Sequence, residues 1–349
     1  MDNASTQQFD VVVVGGGAAG LAGALTLARA RRSVLVLDSG SPRNAPAAHL
    51  HGYLGRDGES PAELLAGGRK EVTGYGGAIR SGAAGTAVAA DPQPGGGFLV
   101  RCADGAAVRA GRLLLATGLE DRLPELPGLR ERWGREVLHC PYCHGWEVGG
   151  MPLAVLASGP VAVHQAQLWR QWSDRVTLLA HTWTPTAADR ELLAALGIAV
   201  VEGEVTGLVV TGEGDLEADG GGEDGGGRSG GGGRLVGVRL AGGGSVDCAA
   251  LVVAPWFGAR AGVAASLGLP VTTLERDGVA VGTCVEADPV TGATALPGVW
   301  AAGNLVNPVD QLSGAAAAGV RAAVAINTDL IEAETRRALA AYRAGRSGT

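Results

Sequence analysis

At 349 residues with a formal charge of −7, a mass of 34.9 kDa and an isoelectric point near 5.4, the chain is long enough for two domains with separate cores. It is too acidic to favour nucleic acid, whose phosphates call for a basic face. The polar start, Met1 to Asp10, lacks the positive flank of an export signal, and the five cysteines, an odd number with one close pair, suit a reducing compartment; the expectation is a cytoplasmic protein with no membrane association.

The first predicted element is a strand over Val11 to Val14, a continuous β-branched run of the kind buried in parallel sheets. Gly15, Gly17 and Gly20 follow in a G-x-G-x-x-G spacing that opens a predicted helix from Ala18 to Ala30. A second strand, Ser33 to Leu37, ends in Asp38, about twenty residues past the glycines, where a carboxylate can accept hydrogen bonds from a ribose. The glycine spacing alone is weak evidence; with strand, helix and terminal acid in register it predicts a dinucleotide site whose pyrophosphate meets the helix N-terminus.

His49, His51, Arg56 and Asp57 stand in a glycine-containing segment that either lines a ligand pocket or is an ordinary polar loop. Short strands are predicted over Thr86 to Ala90, Phe98 to Cys102 and Arg112 to Ala116, the last running into Thr117-Gly118. A second βαβ cycle begins with a strand over Pro152 to Ala157, a turn Ala157-x-Gly159-x-x-Ala162, a helix Val161 to Trp172 and a strand Val176 to Ala180. Glycine and acids dominate Gly212 to Gly233, too polar to offset ordering entropy, which predicts a disordered surface insertion. Leu251 to Ala254 reads as a buried strand, an Ala-rich helix starts near Ser313, and Ile331 to Arg343 reads as a final amphipathic helix.

Between the two cycles lies Cys140-Pro-Tyr-Cys143-His144. Two cysteines with two residues between them can close a small reversible disulfide and lower one thiol pKa. An unperturbed thiol, with pKa about 8.5, is only roughly 3% thiolate at pH 7, so a neighbouring imidazole is well placed to take a proton. Half a zinc site, a c-type haem attachment and a structural disulfide compete with redox use. Zinc wants further ligands, and Cys102, Cys248 and Cys284 are scattered singly; no metal site is expected. Trp146, Trp169, Trp172 and Trp183 could wall a substrate pocket, although core packing is the commoner use of tryptophan.

Taken in order, Gly15-x-Gly17-x-x-Gly20, Ala116-Thr117-Gly118, Cys140-x-x-Cys143 and Ala302-Gly303-Asn304 with Gln311 resemble the low-molecular-weight thioredoxin reductase family of flavoproteins over nearly the whole chain. The resemblance implies an α/β fold of two Rossmann-like βαβ domains, an FAD domain interrupted by an inserted nicotinamide-type domain. Residues 1–122 and 251–349 would bind FAD, and 123–250 would carry the cysteines and the glycine-rich 212–233 loop. It assigns FAD contacts to Gly15, Gly17, Ala18, Gly20, Asp38, Gly303, Asn304, Gln311 and Leu312, and implies a homodimer. Cys143 would face the flavin and Cys140 the substrate.

Three departures mark a branch of that family. His144 replaces the usual acid after the second cysteine, Pro160 and Val161 crowd the second glycine turn, and His181-Thr182-Trp183 lacks the arginines expected to hold a 2′-phosphate. Each missing guanidinium contact is worth roughly 1.5 to 3 kcal/mol. Asp189 and Arg190 lie farther on and could fold back. In these features the chain resembles the dithiol oxidases of holomycin and gliotoxin biosynthesis, which implies a small-molecule dithiol substrate, molecular oxygen as acceptor giving hydrogen peroxide, and Cys140, Cys143 and His144 as catalytic residues. NADPH-dependent thioredoxin-disulfide reduction and a non-catalytic flavin-disulfide sensor are the alternatives.

Overall fold

The computed structural model describes residues 7–211, 233–276 and 278–346. Apart from Gly233, the glycine-rich insertion expected over 212–233 lies outside them. In chain order the elements are β1 (Gln8–Val14), α1 (Ala18–Arg29), β2 (Val34–Asp38), α2 (Pro61–Gly74), β3 (Ala78–Ser81), β4 (Ala87–Pro92), β5 (Phe98–Cys102), β6 (Ala107–Leu115), β7 (Leu119–Arg122), α3 (Leu129–Arg132), β8 (Val137–Leu138), α4 (Pro141–His144) and β9 (Leu153–Leu156). They continue with α5 (Val161–Trp169), β10 (Val176–Ala180), α6 (Ala187–Ala195), β11 (Ala199–Glu202), β12 (Val205–Val210), β13 (Leu235–Leu240), β14 (Ser245–Asp247), β15 (Ala250–Val252), β16 (Trp256–Ala259), α7 (Gly262–Ser266), β17 (Val271–Arg276), β18 (Val279–Val285), β19 (Val299–Ala301) and α8 (Leu312–Arg346).

Two compact units result, one of Met1–Ala45, Gly52–Asp121 and Phe257–Thr349, the other of Pro46–His51 and Arg122–Trp256. The first is built on a seven-stranded sheet of order β3-β2-β1-β6-β5-β4 with β19 also on β6. Strands β1, β2, β3, β6 and β19 run parallel, while β5 pairs antiparallel with both β6 and β4. Alternation assigns the two faces: Val12, Val14, Leu35, Leu37, Leu113 and Leu115 pack toward α7, while Val11, Val13, Val34, Val36 and Leu114 pack beneath α1 and α8. α1 and α8 meet backbone to backbone, since a Cβ on Gly319 would come within 1.9 Å of the Ala19 carbonyl oxygen.

The second unit carries an all-parallel five-stranded sheet, β11-β10-β9-β15-β8. α5 covers one face with Ala162, Val163, Ala166 and the fully buried Trp169. The other face packs on the antiparallel β12-β13-β14 sheet through Val205, Leu235 and Val238. The strand expected at the start of the last FAD segment, Leu251 to Ala254, is β15, which pairs with β8 and β9 and so completes this second sheet.

Two further expectations are corrected. The helix foreseen to reach Trp172 ends at Trp169, because the Trp172 carbonyl accepts from Gly150 N–H at 2.9 Å and holds the next turn against the 150–151 bend. The Ala-rich helix and the tail helix are one, α8, of 35 residues. α2 and β3 were not anticipated, although Ser60 and Glu63 form a capping box with Pro61 at the first helical position. Among the described residues no helix is long and apolar enough to cross a membrane.

Candidate active site

β8 ends at Leu138 and hands the chain to His139, whose Nδ1 lies 3.1 Å from the Val253 carbonyl. Cys140 is then the N-cap of α4, a single turn that Pro141 starts with its pre-set φ. Cys143 N–H donates to the Cys140 carbonyl at 3.2 Å and Gly145 N–H to that of Pro141. This turn brings the two cysteine Cα atoms to 5.4 Å and they are joined as a disulfide. Both cysteines are half-buried.

His144 closes the same turn, also half-buried. Burial pushes its imidazole pKa below the ordinary value, His51 pushes the same way, and the Glu147 carboxylate opposes both. A pKa below about 6.5 leaves the ring neutral, and so able to accept a proton, at pH 7. His51 Nε2 lies 3.3 Å from Glu147 Oε1. In the 49–57 segment His51 is thereby tied to the disulfide's surroundings; Asp57 accepts from Gly52 N–H at 3.1 Å and Arg56 pairs with Glu59 at 3.5 Å.

The tryptophans separate into roles that residue type alone could not assign. Trp169 is core, its Nε1 donating to Gln165 at 3.2 Å, and Trp183 packs at the edge of the same core. Trp172 meets Tyr142 edge-on with ring centres 5.3 Å apart, and a Cβ on Gly145 would come within 2.8 Å of the Trp172 indole. Tyr142, between the two cysteines, is 61% exposed and Trp146 is 87% exposed. The α4 turn that carries the disulfide thus also carries the exposed Tyr142 ring, with the exposed Trp146 just beyond its end. The remaining cysteines lie elsewhere, and burial pushes the Cys248 thiol up to about 12. Among the described residues no group of three or more His, Cys, Asp or Glu is arranged to hold a metal ion.

In the first unit the β1 turn has the shape a dinucleotide needs. Gly15, at φ 110°, lies under the Ala116 carbonyl, and a Cβ on Gly20 would come within 1.8 Å of the Gly15 carbonyl oxygen. Around Gly17, the N-cap of α1, a Cβ would meet nothing within 4 Å. The protein thus closes on two glycines and leaves the third facing open space before Ala18 and the helix N-terminus, which fits a pyrophosphate. Gly303 joins them, its Cβ position 2.8 Å from that of Ala19.

Asp38 is buried at the end of β2, accepting from Gly40 N–H at 3.0 Å and from Arg69 Nη2 at 2.8 Å. Asn304 is spent on its own loop: its amide donates to the carbonyls of Asn307 and Asp310, and its Oδ1 accepts from Arg43. Gln311 is exposed just before Leu312 opens α8, with its Oε1 3.7 Å from the Cβ position of Gly52. Two arginines went unnoticed in the sequence. Arg69 neutralises Asp38, and Arg43 grips Asp121 with two bonds of 2.8 Å while stacking over Phe257.

At the second βαβ turn a Cβ on Gly159 would, as at Gly17, meet nothing within 4 Å, so Pro160 and Val161 do not crowd it at that position. A crevice of about 470 Å³ opens at the carboxyl ends of β9 and β10, lined by Ser158, His181 and Thr182 together with Glu125 and Glu204. Burial pushes the His181 imidazole pKa down while Glu204 opposes it, and its Nδ1 accepts from Val205 N–H at 3.0 Å. Asp189 and Arg190 do not fold back: Asp189 caps α6 with Thr186, and Arg190 pairs with Glu202 at 2.6 Å.

Over residues 9–322 the chain matches the pyridine nucleotide-disulphide oxidoreductase family. It is 37% identical over 195 residues to thioredoxin reductase tcpT of Claviceps purpurea (strain 20.1), covering 54% of this chain and 60% of that protein. To thioredoxin reductase aclD of Aspergillus oryzae (strain ATCC 42149 / RIB 40) it is 41% identical over 162 residues, 44% of this chain and 49% of that one. The chain therefore spans about half the length of these curated relatives. The crystal structure of HlmI superposes with a TM-score of 0.82 at 40% identity, covering 100% of this chain and 99% of that one.

Proposed function

The chain belongs to the pyridine nucleotide-disulphide oxidoreductase family, and from that membership we propose that it oxidises a small-molecule dithiol to its cyclic disulfide through Cys140 and Cys143, with molecular oxygen as final acceptor. Its fold is of the thioredoxin reductase type and its cofactor is FAD; Gly15, Gly17, Ala18, Gly20, Asp38, Gly303, Asn304, Gln311 and Leu312 are the residues proposed to hold it.

A substrate thiol loses its proton to neutral His144, and the thiolate attacks Cys140 Sγ. The Cys140–Cys143 bond breaks, a substrate–Cys140 disulfide forms, and Cys143 leaves as a thiolate. The second substrate thiol attacks its partner sulfur, closing the product disulfide and releasing Cys140. Two electrons now rest on the protein dithiol. When bound, FAD supplies the two-electron acceptor that restores the disulfide, oxygen being reduced to hydrogen peroxide. The exposed rings of Tyr142 and Trp146 offer an apolar small molecule a surface beside the sulfur.

The observation that carries this reading is the crevice at β9 and β10. Its charged lining is Glu125 and Glu204, with no Lys or Arg among the described residues that form it. A 2′-phosphate, carrying nearly two negative charges, would forgo charge-assisted bonds worth roughly 1.5 to 3 kcal/mol each and face carboxylates instead. Electrons entering from a substrate dithiol need no such pocket. The second reading, an NADPH-dependent thioredoxin-disulfide reductase, is favoured by the names of the two fungal relatives.

Peroxide release from a reduced small dithiol, with and without NADPH, separates the readings. Steady oxygen consumption with dithiol alone, abolished in Cys143→Ser with FAD retained, is expected. Rapid anaerobic bleaching of the flavin by NADPH would replace the proposal with the reductase, and absence of steady turnover with any dithiol or NADPH would leave a redox sensor.

A further inference from the structure

In the second unit the core and the disulfide turn are joined through aromatic rings. Trp169, fully buried and fixed by its bond to Gln165, has its ring centre 6.3 Å from that of Trp172. Trp172 is half-buried and its backbone is strapped in place. Its carbonyl accepts from Gly150 N–H at 2.9 Å, and the hydroxyl of its buried neighbour Ser173 donates to the Met151 carbonyl at 2.5 Å. The indole is thereby tied to the chain that runs from α4 to β9.

The same indole meets α4 at two points. Tyr142 stands edge-on to it with ring centres 5.3 Å apart. Just past the end of the turn, a Cβ on Gly145 would come within 2.8 Å of the indole Cγ and Cδ1, so the bare backbone lies against the five-membered ring. Cys143 and His144 are the residues between these two contacts. Reduction parts the two sulfurs, and an unsupported turn then gains conformations that closure must give up again. A turn held on both sides of Cys143 keeps the sulfurs close, which raises their effective concentration and favours the disulfide.

We propose that Trp172 is a positioning residue for the redox pair: its indole holds Tyr142 and Gly145 and so biases Cys140 and Cys143 toward the disulfide, the form that a substrate thiolate attacks. An aromatic edge contact is worth about twofold to tenfold in an equilibrium constant, and loss of the indole removes the Gly145 contact as well. The inference rests on the reading of Cys140 and Cys143 as the pair that receives the substrate's electrons, and it adds what holds that pair; the final acceptor does not enter.

The test is anaerobic equilibration of the FAD-loaded full chain with mixtures of dithiothreitol and its oxidised form, followed by alkylation and mass measurement of the peptide carrying Cys140 and Cys143. Trp172→Ala should move the balance about tenfold toward the dithiol, a rise of about 30 mV in potential. Tyr142→Ala, which removes only an exposed ring, should move it the same way by about threefold, and it carries the test should Trp172→Ala fail to fold. Trp172→Phe keeps a ring beside Gly145 and should stay within about twofold of the wild type. Trp183→Ala thins the same core elsewhere and should lower the thermal midpoint without moving the potential. A wild-type potential in Trp172→Ala or Tyr142→Ala, a shift in Trp172→Phe as large as that in Trp172→Ala, or an equal shift in Trp183→Ala would overturn the proposal and leave the dithiol reaction standing. A wild-type disulfide that resists dithiothreitol would overturn both.

Discussion

Adding one methyl group at two positions of the same turn should produce opposite kinds of damage. At Gly17 the backbone has φ −79° and ψ −172°, an extended conformation open to alanine, and no protein atom lies within 4 Å of the new Cβ. Gly17→Ala should therefore cost about 1 kcal/mol or less of folding stability, the ordinary penalty for alanine in place of glycine at an N-cap. The methyl would occupy the space left for the pyrophosphate, and loss of one or two charge-assisted backbone contacts at roughly 1.5 to 3 kcal/mol each lowers FAD affinity by about tenfold to roughly twenty-thousandfold. At Gly20 the Cβ would sit 1.8 Å from the Gly15 carbonyl oxygen, so β1 and α1 must part by more than 1 Å (roughly, from van der Waals contact), an overpacking cost of about 1–3 kcal/mol or more. FAD titration of the apoprotein by flavin fluorescence, with thermal unfolding of the same samples, distinguishes the two. Wild-type FAD affinity in Gly17→Ala would refute the placement of the cofactor, and wild-type stability in Gly20→Ala would refute the closeness of the turn.

Other perturbations follow from the site. Because Glu147 holds the His144 pKa up against burial, Glu147→Gln should lower that pKa further; the ring then stays neutral to lower pH, and the acid limb of the rate profile should move to lower pH, a shift upward or none at all arguing against the electrostatic link. Arg43→Ala strips both guanidinium hydrogen bonds from Asp121, whose side chain is only 7% exposed, so thermal unfolding should show a loss of about 3–5 kcal/mol. Lysine should restore little of it, since it lacks the planar fork that makes both bonds; full rescue by Arg43→Lys would count against the bidentate geometry.

How far the chain could be read before folding depended on the range over which each signal acts. The β-branched run of β1, the glycine turn, α1 and the acid ending β2 are consecutive, and their stereochemistry is set within a few peptide units, so their order was legible. The same holds for Cys140, Pro141, Cys143 and His144, which one helical turn places together. Boundaries were less legible: α5 stops at Trp169 because of a bond to Gly150, and α8 continues through what reads as two helices because nothing in its sequence breaks the turn. β3 and the β7-β16-β18-β17 sheet gave too little periodicity to be seen.

What residue order alone determined is therefore the chemistry that neighbours can make: a dinucleotide turn, a cysteine pair in reach of a disulfide, and a histidine beside it. Only the tertiary structure decided which distant groups answer them. Arg43 and Asn304 stand 261 positions apart yet share a hydrogen bond, Arg69 comes from α2 to Asp38, His51 is brought to Glu147, and of four tryptophans one is core and another almost wholly exposed. Side-chain partners of this kind are chosen by how sheets and helices pack, and packing is a property of the whole chain that no short window of sequence contains.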